Sequence, residues 1–338
     1  MKYTEHEGTL MKKKIAVTIG DPAGVGPEIV IKALTQYPEI YEISIPIVFG
    51  HKAILEKYSA LMKVDADFVQ MNSLNNISEA GPKKIICYET SRLDEIPEVA
   101  KISGLAGKLA FEYIKNAIIA CQRKEMDAIA TAPINKEAMR MGKVPYLDHT
   151  EILTKLTDSK DTMTLFVTKN MRVFFYSRHI TFKEISAALN KDKLVLMAGK
   201  CIDYLKQIKV KDPKLAVAAL NPHAGEHGMF GDEEINILIP AVEAAQAKGL
   251  KVDGPIPADS VFHMAKEGYF DAVLSLYHDQ GHIAAKTYDF YNTISFTMGL
   301  PFLRTSVDHG TAMDMAGKNI ANEISMVEAI KAAAKYAW

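Results

Sequence analysis

The sequence predicts an α/β fold of two lobes with a cleft between them. Three observations carry that prediction. Short β-branched apolar runs alternate with segments whose apolar residues recur every three or four positions, the runs stop at Gly, Pro and Asp, and 48% of the 338 residues are apolar. Such alternation implies a mostly parallel or mixed sheet with helices on both faces. The length suffices for two domains of roughly 100–200 residues or one large unit. Taken in order, residues 1–10 read as a loose polar leader. Residues 14–19 (KIAVTI) read as the first buried strand, being short, β-branched and closed by Gly20-Asp21-Pro22. Strands are expected again at 45–49, 84–87, 128–131, 163–167, 172–176, 215–219, 272–276 and 294–297. Helical periodicity marks 109–121, 235–247 and 324–337. The runs 163–167 and 172–176 lie so close that they predict an antiparallel hairpin in mid-chain. There is no internal repeat, low-complexity tract or Pro/Ser-rich linker, so the lobes are expected to meet compactly.

Composition excludes several function classes. Lys and Arg number 40 against 41 Asp and Glu, with no basic block, which argues against nucleic acid. Cys87, Cys121 and Cys201 are far apart and form no CxxC pair, so neither a disulfide framework nor a thiolate zinc site is expected. That usage suits a reducing, cytoplasmic compartment. No apolar run approaches the roughly 18–20 residues of a membrane span, and the N-terminus lacks the apolar stretch of a signal peptide. A soluble cytosolic enzyme or binding protein is expected, with ten histidines to explain.

Three histidines stand in similar places. His179, His223 and His278 each follow a predicted strand and sit in turn chemistry, where α/β sheets present their ends to ligands. Three neutral imidazoles suit a borderline divalent metal with open coordination positions, although a single strand-end histidine is more often a surface or hydrogen-bonding residue. Gly20-Asp-Pro-Ala-Gly-Val-Gly-Pro-Glu28 allows either close backbone approach to a ligand or a plain strand-to-helix turn. It is not a P-loop, because no Lys-Ser/Thr follows. His149-Thr150-Glu151 offers donors, while Thr150 or Asp148 also reads as the cap of a helix beginning near Glu151. Lys136, Lys286 and Arg304 suit an anionic group, and in isolation each also reads as an ordinary surface cation. Residues 306–322 (SVDHGTAMDMAGKNIAN) make a backbone-rich surface that a planar base and ribose can approach, with Asp308 or Asp314 to accept ribose hydroxyls. Alone, that stretch is a polar loop before the last helix.

Taken together, these segments resemble the PdxA family, the 4-hydroxythreonine-4-phosphate dehydrogenases of vitamin B6 synthesis, with a branch acting on D-threonate and D-erythronate 4-phosphate. The matching stretches are GDPAGVGPE (20–28), HTE (149–151), LNPHAGE (220–226), YHDQG (277–281) and GLPFLRTSVDHGTA (299–312), so the resemblance runs from residue 15 to the end. HGTAMDMAGKNIAN (309–322) is also similar to the adenine loop of isocitrate and isopropylmalate dehydrogenases. The resemblance implies their two-lobed fold, with mixed sheets flanked by helices. It places a nucleotide-side lobe at 11–140 together with 305–338, and a metal, substrate and dimerisation lobe at 141–304. It implies one divalent metal (Zn, Co, Mn or Mg) on His179, His223 and His278, in a cleft completed by the second subunit of a homodimer. Substrate contacts would come from His149, Thr150, Lys286, Ser295 and Arg304, and Asp259 and Asp279 would form an acidic pair near the metal. NAD or NADP would lie along Asp308, His309, Gly310, Thr311, Asp314 and Asn322.

Three departures favour the sugar-acid branch. Ser295 stands where biosynthetic members carry Asn, His282-Ile283-Ala284 replaces Leu or Val followed by Pro, and the loop after NPHAGE reads His227-Gly-Met-Phe-Gly231. The expected reaction is oxidation of the C3 hydroxyl of a 4-phosphorylated four-carbon acid, with decarboxylation, using Asp279, Asp259 and Lys286. The base stays open between Asp279 and a metal-bound water. The alternatives are the 4-hydroxy-L-threonine 4-phosphate reaction and, from another class, a metal-dependent hydrolase or isomerase that needs no nucleotide. A catalytically silent metal-binding module is the third.

Overall fold

The computed structural model describes residues 12–75, 77, 80–89 and 91–338; the leader 1–10 and His6 lie outside the described residues. Twelve strands form one sheet. In chain order they are β1 Lys13–Thr18, β2 Ser44–Gly50, β3 Asp67–Met71, β4 Lys84–Glu89, β5 Ala128–Thr131, β6 Met163–Thr168, β7 Met171–Phe175, β8 Leu215–Ala218, β9 Val252–Ile256, β10 Ala272–Ser275, β11 Thr293–Met298 and β12 Leu303–Val307. Their spatial order is β3-β4-β2-β1-β5-β12-β11-β6-β7-β10-β8-β9. The run from β3 to β12 is parallel, as is the run from β7 to β9, and antiparallel β11 and β6 join them. The α/β class and the mixed sheet flanked by helices are therefore as expected, and β6 and β7 form the mid-chain hairpin. The boundary at 304/305 falls within β12, so the two proposed lobes share one continuous sheet.

The strands read as apolar runs because helices cover both faces, leaving β1, β5 and β10 almost wholly buried. Helices Gly26–Gln36, Gly104–Gln122 and Ile324–Tyr336 cover the first parallel block, and Lys191–Gln207 and Ala258–Lys266 the second. Side-chain caps set the starts of two of these and of helix His149–Leu156: Ser103 accepts from Ala106 N, Asn190 from Lys193 N and Asp148 from Glu151 N. Asp148, rather than Thr150, thus caps helix His149–Leu156.

The sequence reading assigned no strand to β3, β9 or β12. The first and second of these are edge strands, and Gly254-Pro255 in β9 is tolerable only at such an edge. β12 is central, yet its sequence LRTSV reads as a polar loop although all five residues are buried. The predicted helix 235–247 begins as a π-turn at Glu234–Leu238 and becomes α-helical only at Ile239–Ala247, because Pro240 cannot donate to the preceding turn.

The Gly-rich turn after β1 resolves in favour of chain packing. A Cβ on Gly26 would lie 2.0 Å from Ile19 O, and one on Gly20, at φ +67°, would lie 2.2 Å from Pro133 O. These glycines admit backbone, leaving no room for a phosphate. Asp21 in this turn is fully buried; its Oδ1 accepts from Ala23 N while its Oδ2 has no partner. Burial raises its pKa from 3.8 to about 6, opposed by the Ala23 bond. A raised carboxyl pKa contributes fully at low pH and loses that contribution as pH rises through about 6. Asp21→Asn, which keeps the acceptor for Ala23, is therefore expected to stabilise the fold by about 2 kcal/mol at pH 8 and by little at pH 4. Urea unfolding at both pH values checks this; equal effects at the two would contradict it.

Candidate active site

The antiparallel centre of the sheet carries a polar face. Register places Arg304 on β12 opposite Thr297 on β11, and Thr297 opposite Thr164 on β6. One pleat further along, Ser306 faces Ser295, which faces Phe166. Residues two apart on a strand share a face, so these side chains form two adjacent rows.

Arg304 is only 5% exposed. Its Nε and Nη2 donate to Thr131 Oγ1 at 3.1 and 2.7 Å, and its Nη1 donates to Thr297 Oγ1 at 3.0 Å. Both acceptors are neutral hydroxyls. A buried cation held this way is costly, and burial accordingly draws its pKa down to about 9. His149, at the first turn of its helix, points a buried Nε2 with no partner. Burial and the neighbouring Arg304 charge hold its pKa well below the usual imidazole range, so it is neutral at pH 7. Half-buried Thr150 follows it. An anion placed here would answer both groups.

Around this seat the helix His278–Tyr288 starts directly after β10. The His278 and His179 rings lie 6.2 Å apart, centroid to centroid. His278 Nδ1 is hydrogen-bonded to Asp279 Oδ1 at 2.7 Å, which leaves Nε2 as the free ring nitrogen. His282, one turn on, stacks on His278 at 4.0 Å and rests against Phe166 and Phe175. It enters the site although the sequence reading left it without a role. Arg178 is a further residue that reading missed. Half-buried between Ser177 and His179, it donates Nη1 to Thr164 Oγ1 at 2.6 Å. Its place beside His179 at a strand end was the available signal.

His223 lies elsewhere in the chain's own fold. It is exposed in the turn Pro222–Gly228, where residues 223 to 227 all have left-handed backbone, and its ring neighbours Phe230. Such backbone costs about 1–2 kcal/mol for each non-Gly residue. Buried Glu234 holds the turn by accepting from Leu220 N, Asn221 N and Asn221 Nδ2. Asp259, exposed at the start of helix Ala258–Lys266, accepts from Ser260 Oγ, and that helix packs on the same turn. Among the described residues of one chain, no three His, Cys, Asp or Glu side chains converge as a metal set. His179 and His278 come together; His223 does not join them.

Lys286, on the last turn of helix His278–Tyr288, pairs with Asp308 at 2.9 Å and so ties this helix to the loop 308–322. The loop forms one wall of a cavity of about 470 Å³, with Tyr291, Asp308, His309, Gly310, Ile320 and Asn322 in its lining. That volume suits a small ligand or part of a dinucleotide. His309 Nδ1 engages Gly310 O at 2.9 Å, while its buried Nε2 has no partner. Thr311 turns away from the cavity: its carbonyl accepts from Val25 N and its hydroxyl from Asn135 Nδ2. Asp314 is exposed, and Ser295 is buried on β11.

A buried ion pair holds the loop from behind. Glu28, fully buried at the end of the Gly-rich turn, accepts from Gly317 N and Ala321 N, and Lys32 bridges Glu28 to Ala321 O. Removing one partner of a buried pair costs roughly 3–5 kcal/mol, and here Glu323 at 3.9 Å from Lys32 compensates in part. Glu28→Gln is expected to lower the unfolding midpoint by loosening the loop 308–322. Adding Lys32→Met should recover most of the stability. A thermodynamic double-mutant cycle checks the coupling; strictly additive losses would contradict it.

The family model "Pyridoxal phosphate biosynthetic protein PdxA" matches residues 42–333. The chain belongs to the PdxA family. A Clostridium botulinum relative with the provisional name D-threonate 4-phosphate dehydrogenase is 49% identical over 329 residues, covering 96% of this chain and 97% of the relative. One of the same name from Fusobacterium nucleatum is 50% identical over 331 residues, covering 97% and 98%. The crystal structure of a 4-hydroxythreonine-4-phosphate dehydrogenase from Klebsiella pneumoniae superposes with a TM-score of 0.89 at 39% identity, covering 97% and 98%. As a PdxA-family protein with such relatives, the chain is a dehydrogenase. No helix among the described residues is long and apolar enough to cross a membrane.

Proposed function

We propose that this PdxA-family enzyme uses NAD or NADP to oxidise the C3 hydroxyl of a 4-phosphorylated four-carbon acid, with loss of CO2. D-threonate 4-phosphate or D-erythronate 4-phosphate is the favoured substrate. The observation that carries the reading is the anion seat: buried Arg304 bonded only to hydroxyls, beside the unpartnered Nε2 of His149. The names of the relatives at 49–50% identity support the sugar-acid branch. The name of the Klebsiella pneumoniae structure supports 4-hydroxy-L-threonine 4-phosphate as the second reading.

The residues divide the work as follows. Arg304, His149 and Thr150 receive the phosphate, and Ser295 lies one pleat away on the same face. Lys286, held by Asp308, sets the anionic substrate against the nucleotide loop and fixes the hydride path. A nicotinamide nucleotide would be held in the cavity of loop 308–322, where Asp308, His309, Gly310 and Asn322 offer polar contacts to ribose and base. Thr311 and Asp314 then act from behind and beside that wall. When bound, the nicotinamide would accept hydride from C3, and either Asp279, which is hydrogen-bonded to His278, or a water would take the hydroxyl proton. The C1–C2 bond of the resulting β-keto acid breaks, CO2 departs, and the electron pair left at C2 is protonated.

His179 and His278 fit a divalent ion, because the carboxylate on His278 Nδ1 orients the ring as metal-ligating histidines require. With His223 they would hold Zn, Co, Mn or Mg, which when bound supplies Lewis-acid polarisation of the C3 oxygen. His223 joins the set when a second copy of the chain closes the cleft, so a homodimer with its site at the subunit interface belongs to the reading, with Asp259 beside the His223 turn. A cytoplasmic location follows from the cysteine usage. The deciding experiment is a parallel nucleotide-reduction screen with D-threonate 4-phosphate, D-erythronate 4-phosphate and 4-phosphohydroxy-L-threonine. Highest kcat/KM on a sugar acid supports the favoured branch, and highest kcat/KM on the amino acid selects the second. Turnover of such acids without nucleotide would replace both with a hydrolase or isomerase.

A further inference from the structure

The site contains a second guanidinium with the same unusual bonding as Arg304. Arg178 is half-buried and donates Nη1 to Thr164 Oγ1 at 2.6 Å, just as Arg304 donates Nη1 to Thr297 Oγ1 at 3.0 Å. Thr164 and Thr297 are direct cross-strand partners of the antiparallel pair β6–β11. Directly opposite residues keep their Cβ atoms within about 4.5–5.5 Å on one face. Two cations are thus anchored to neighbouring hydroxyls, from opposite sides of one polar row. Asp148 is the acidic group whose charge acts on both, and its Oδ1 is already engaged as a helix cap by Glu151 N. A buried and a half-buried cation anchored to neighbouring neutral acceptors are stabilised by anionic charge placed between them.

We propose that Arg178 is a substrate-recognition residue that seats the carboxylate of the substrate, while Arg304 and His149 seat its phosphate. The assignment rests on the phosphorylated-acid reading above. The more highly charged phosphate belongs with the deeper guanidinium and the unpartnered imidazole nitrogen. The single carboxylate charge belongs with the lone, half-buried Arg178, whose planar fork matches a carboxylate. One ligand carrying both groups then neutralises the pair, so the seat selects dianion-bearing acids over simple phosphate esters.

Arg178→Gln is expected to raise KM for D-threonate 4-phosphate by 10- to 100-fold, with KM for the nucleotide unchanged. The inhibition constant of inorganic phosphate should stay within twofold of wild type, whereas Arg304→Gln should raise it at least tenfold. Arg178→Lys should recover part of the loss. Thr164→Val, which removes the anchor and keeps the guanidinium, should give a smaller rise and serves if Arg178→Gln fails to fold. An unchanged substrate KM in Arg178→Gln overturns the proposal, as does a loss of phosphate inhibition equal to that of Arg304→Gln. A readout without turnover separates this from the substrate reading: D-threonate, which has the carboxylate and lacks the phosphate, should raise the unfolding midpoint of wild type and of Arg304→Gln but not of Arg178→Gln. If no phosphorylated acid is turned over and that pattern holds, the substrate reading fails while the carboxylate seat stands.

Discussion

Arg304→Met is expected to lower kcat/KM by about a thousandfold, roughly 4 kcal/mol of transition-state stabilisation, without destabilising the fold. Two opposed effects meet at this residue. In the free enzyme its charge is buried against the hydroxyls of Thr131 and Thr297, which solvate a cation less well than water does. Methionine removes that burden, leaves the hydroxyls without their donor and nearly fills the same volume, so unfolding in urea should show a change within about 1 kcal/mol or a small gain. In the complex the same charge faces the substrate's phosphate in a site from which water is excluded, where a charge-assisted bidentate contact is strong. Lysine would restore charge and lose the fork, so Arg304→Lys should recover only part of the activity. A large loss of stability with activity retained in the folded fraction would make Arg304 a structural residue and remove the main support for the anion seat.

Stripping metal should have a comparable effect. Dialysis against a chelator is expected to abolish turnover and Zn, Co or Mn to restore it, and His278→Ala should cost about a thousandfold or more even with metal supplied. Asp279→Asn, which alters both the group orienting the His278 ring and a candidate base, should cost at least about 10- to 100-fold. Undiminished turnover in the metal-free enzyme would end the metal reading. Protonation adds an independent check. Burial holds the pKa of His149 well below the imidazole value, and burial with the nearby Arg178 charge lowers that of His179. Both are therefore neutral at pH 7, and activity should be lost only as pH falls below the ordinary imidazole value of about 6.5. Their contribution to stability has the same sign: a depressed imidazole pKa favours folding above about 6.5 and disfavours it as pH falls towards the folded-state value. Loss of activity already above about pH 6.5 would contradict the role given to neutral histidine.

Much of the fold was legible because the physics there is local. Nine strand runs were evident from short β-branched stretches ended by turn residues, and the hairpin followed from the four residues between the runs 163–167 and 172–176, a matter of chain length alone. The exception at the centre of the molecule is instructive. β12 was invisible as a strand because Arg304, Thr305 and Ser306 look like a loop, yet Arg304 and Ser306 are on the floor of the candidate site while Thr305 turns to the other face and donates to Ala329 O. Function had replaced the apolar alternation that marks a strand. For the same reason Arg178 passed unnoticed beside His179, since nothing in its immediate sequence shows that Thr164 is waiting across the hairpin.

The sequence by itself determined the α/β class, the PdxA resemblance and the identities of the candidate histidines and cations, because strand periodicity, turn chemistry and contiguous motifs are properties of neighbouring residues. Only the tertiary structure decided which groups meet. Cross-strand register set Arg304, Thr297 and Thr164 in one row, and the buried Glu28–Lys32 pair, bonded to Ala321 N and to Ala321 O 289 residues from Lys32, fixed the back of the loop 308–322. The glycines of 20–26 proved to accommodate backbone, and His282 joined His278 by stacking. Charge burial and close approach depend on what lies opposite in space, and that information is absent from any local stretch of chain.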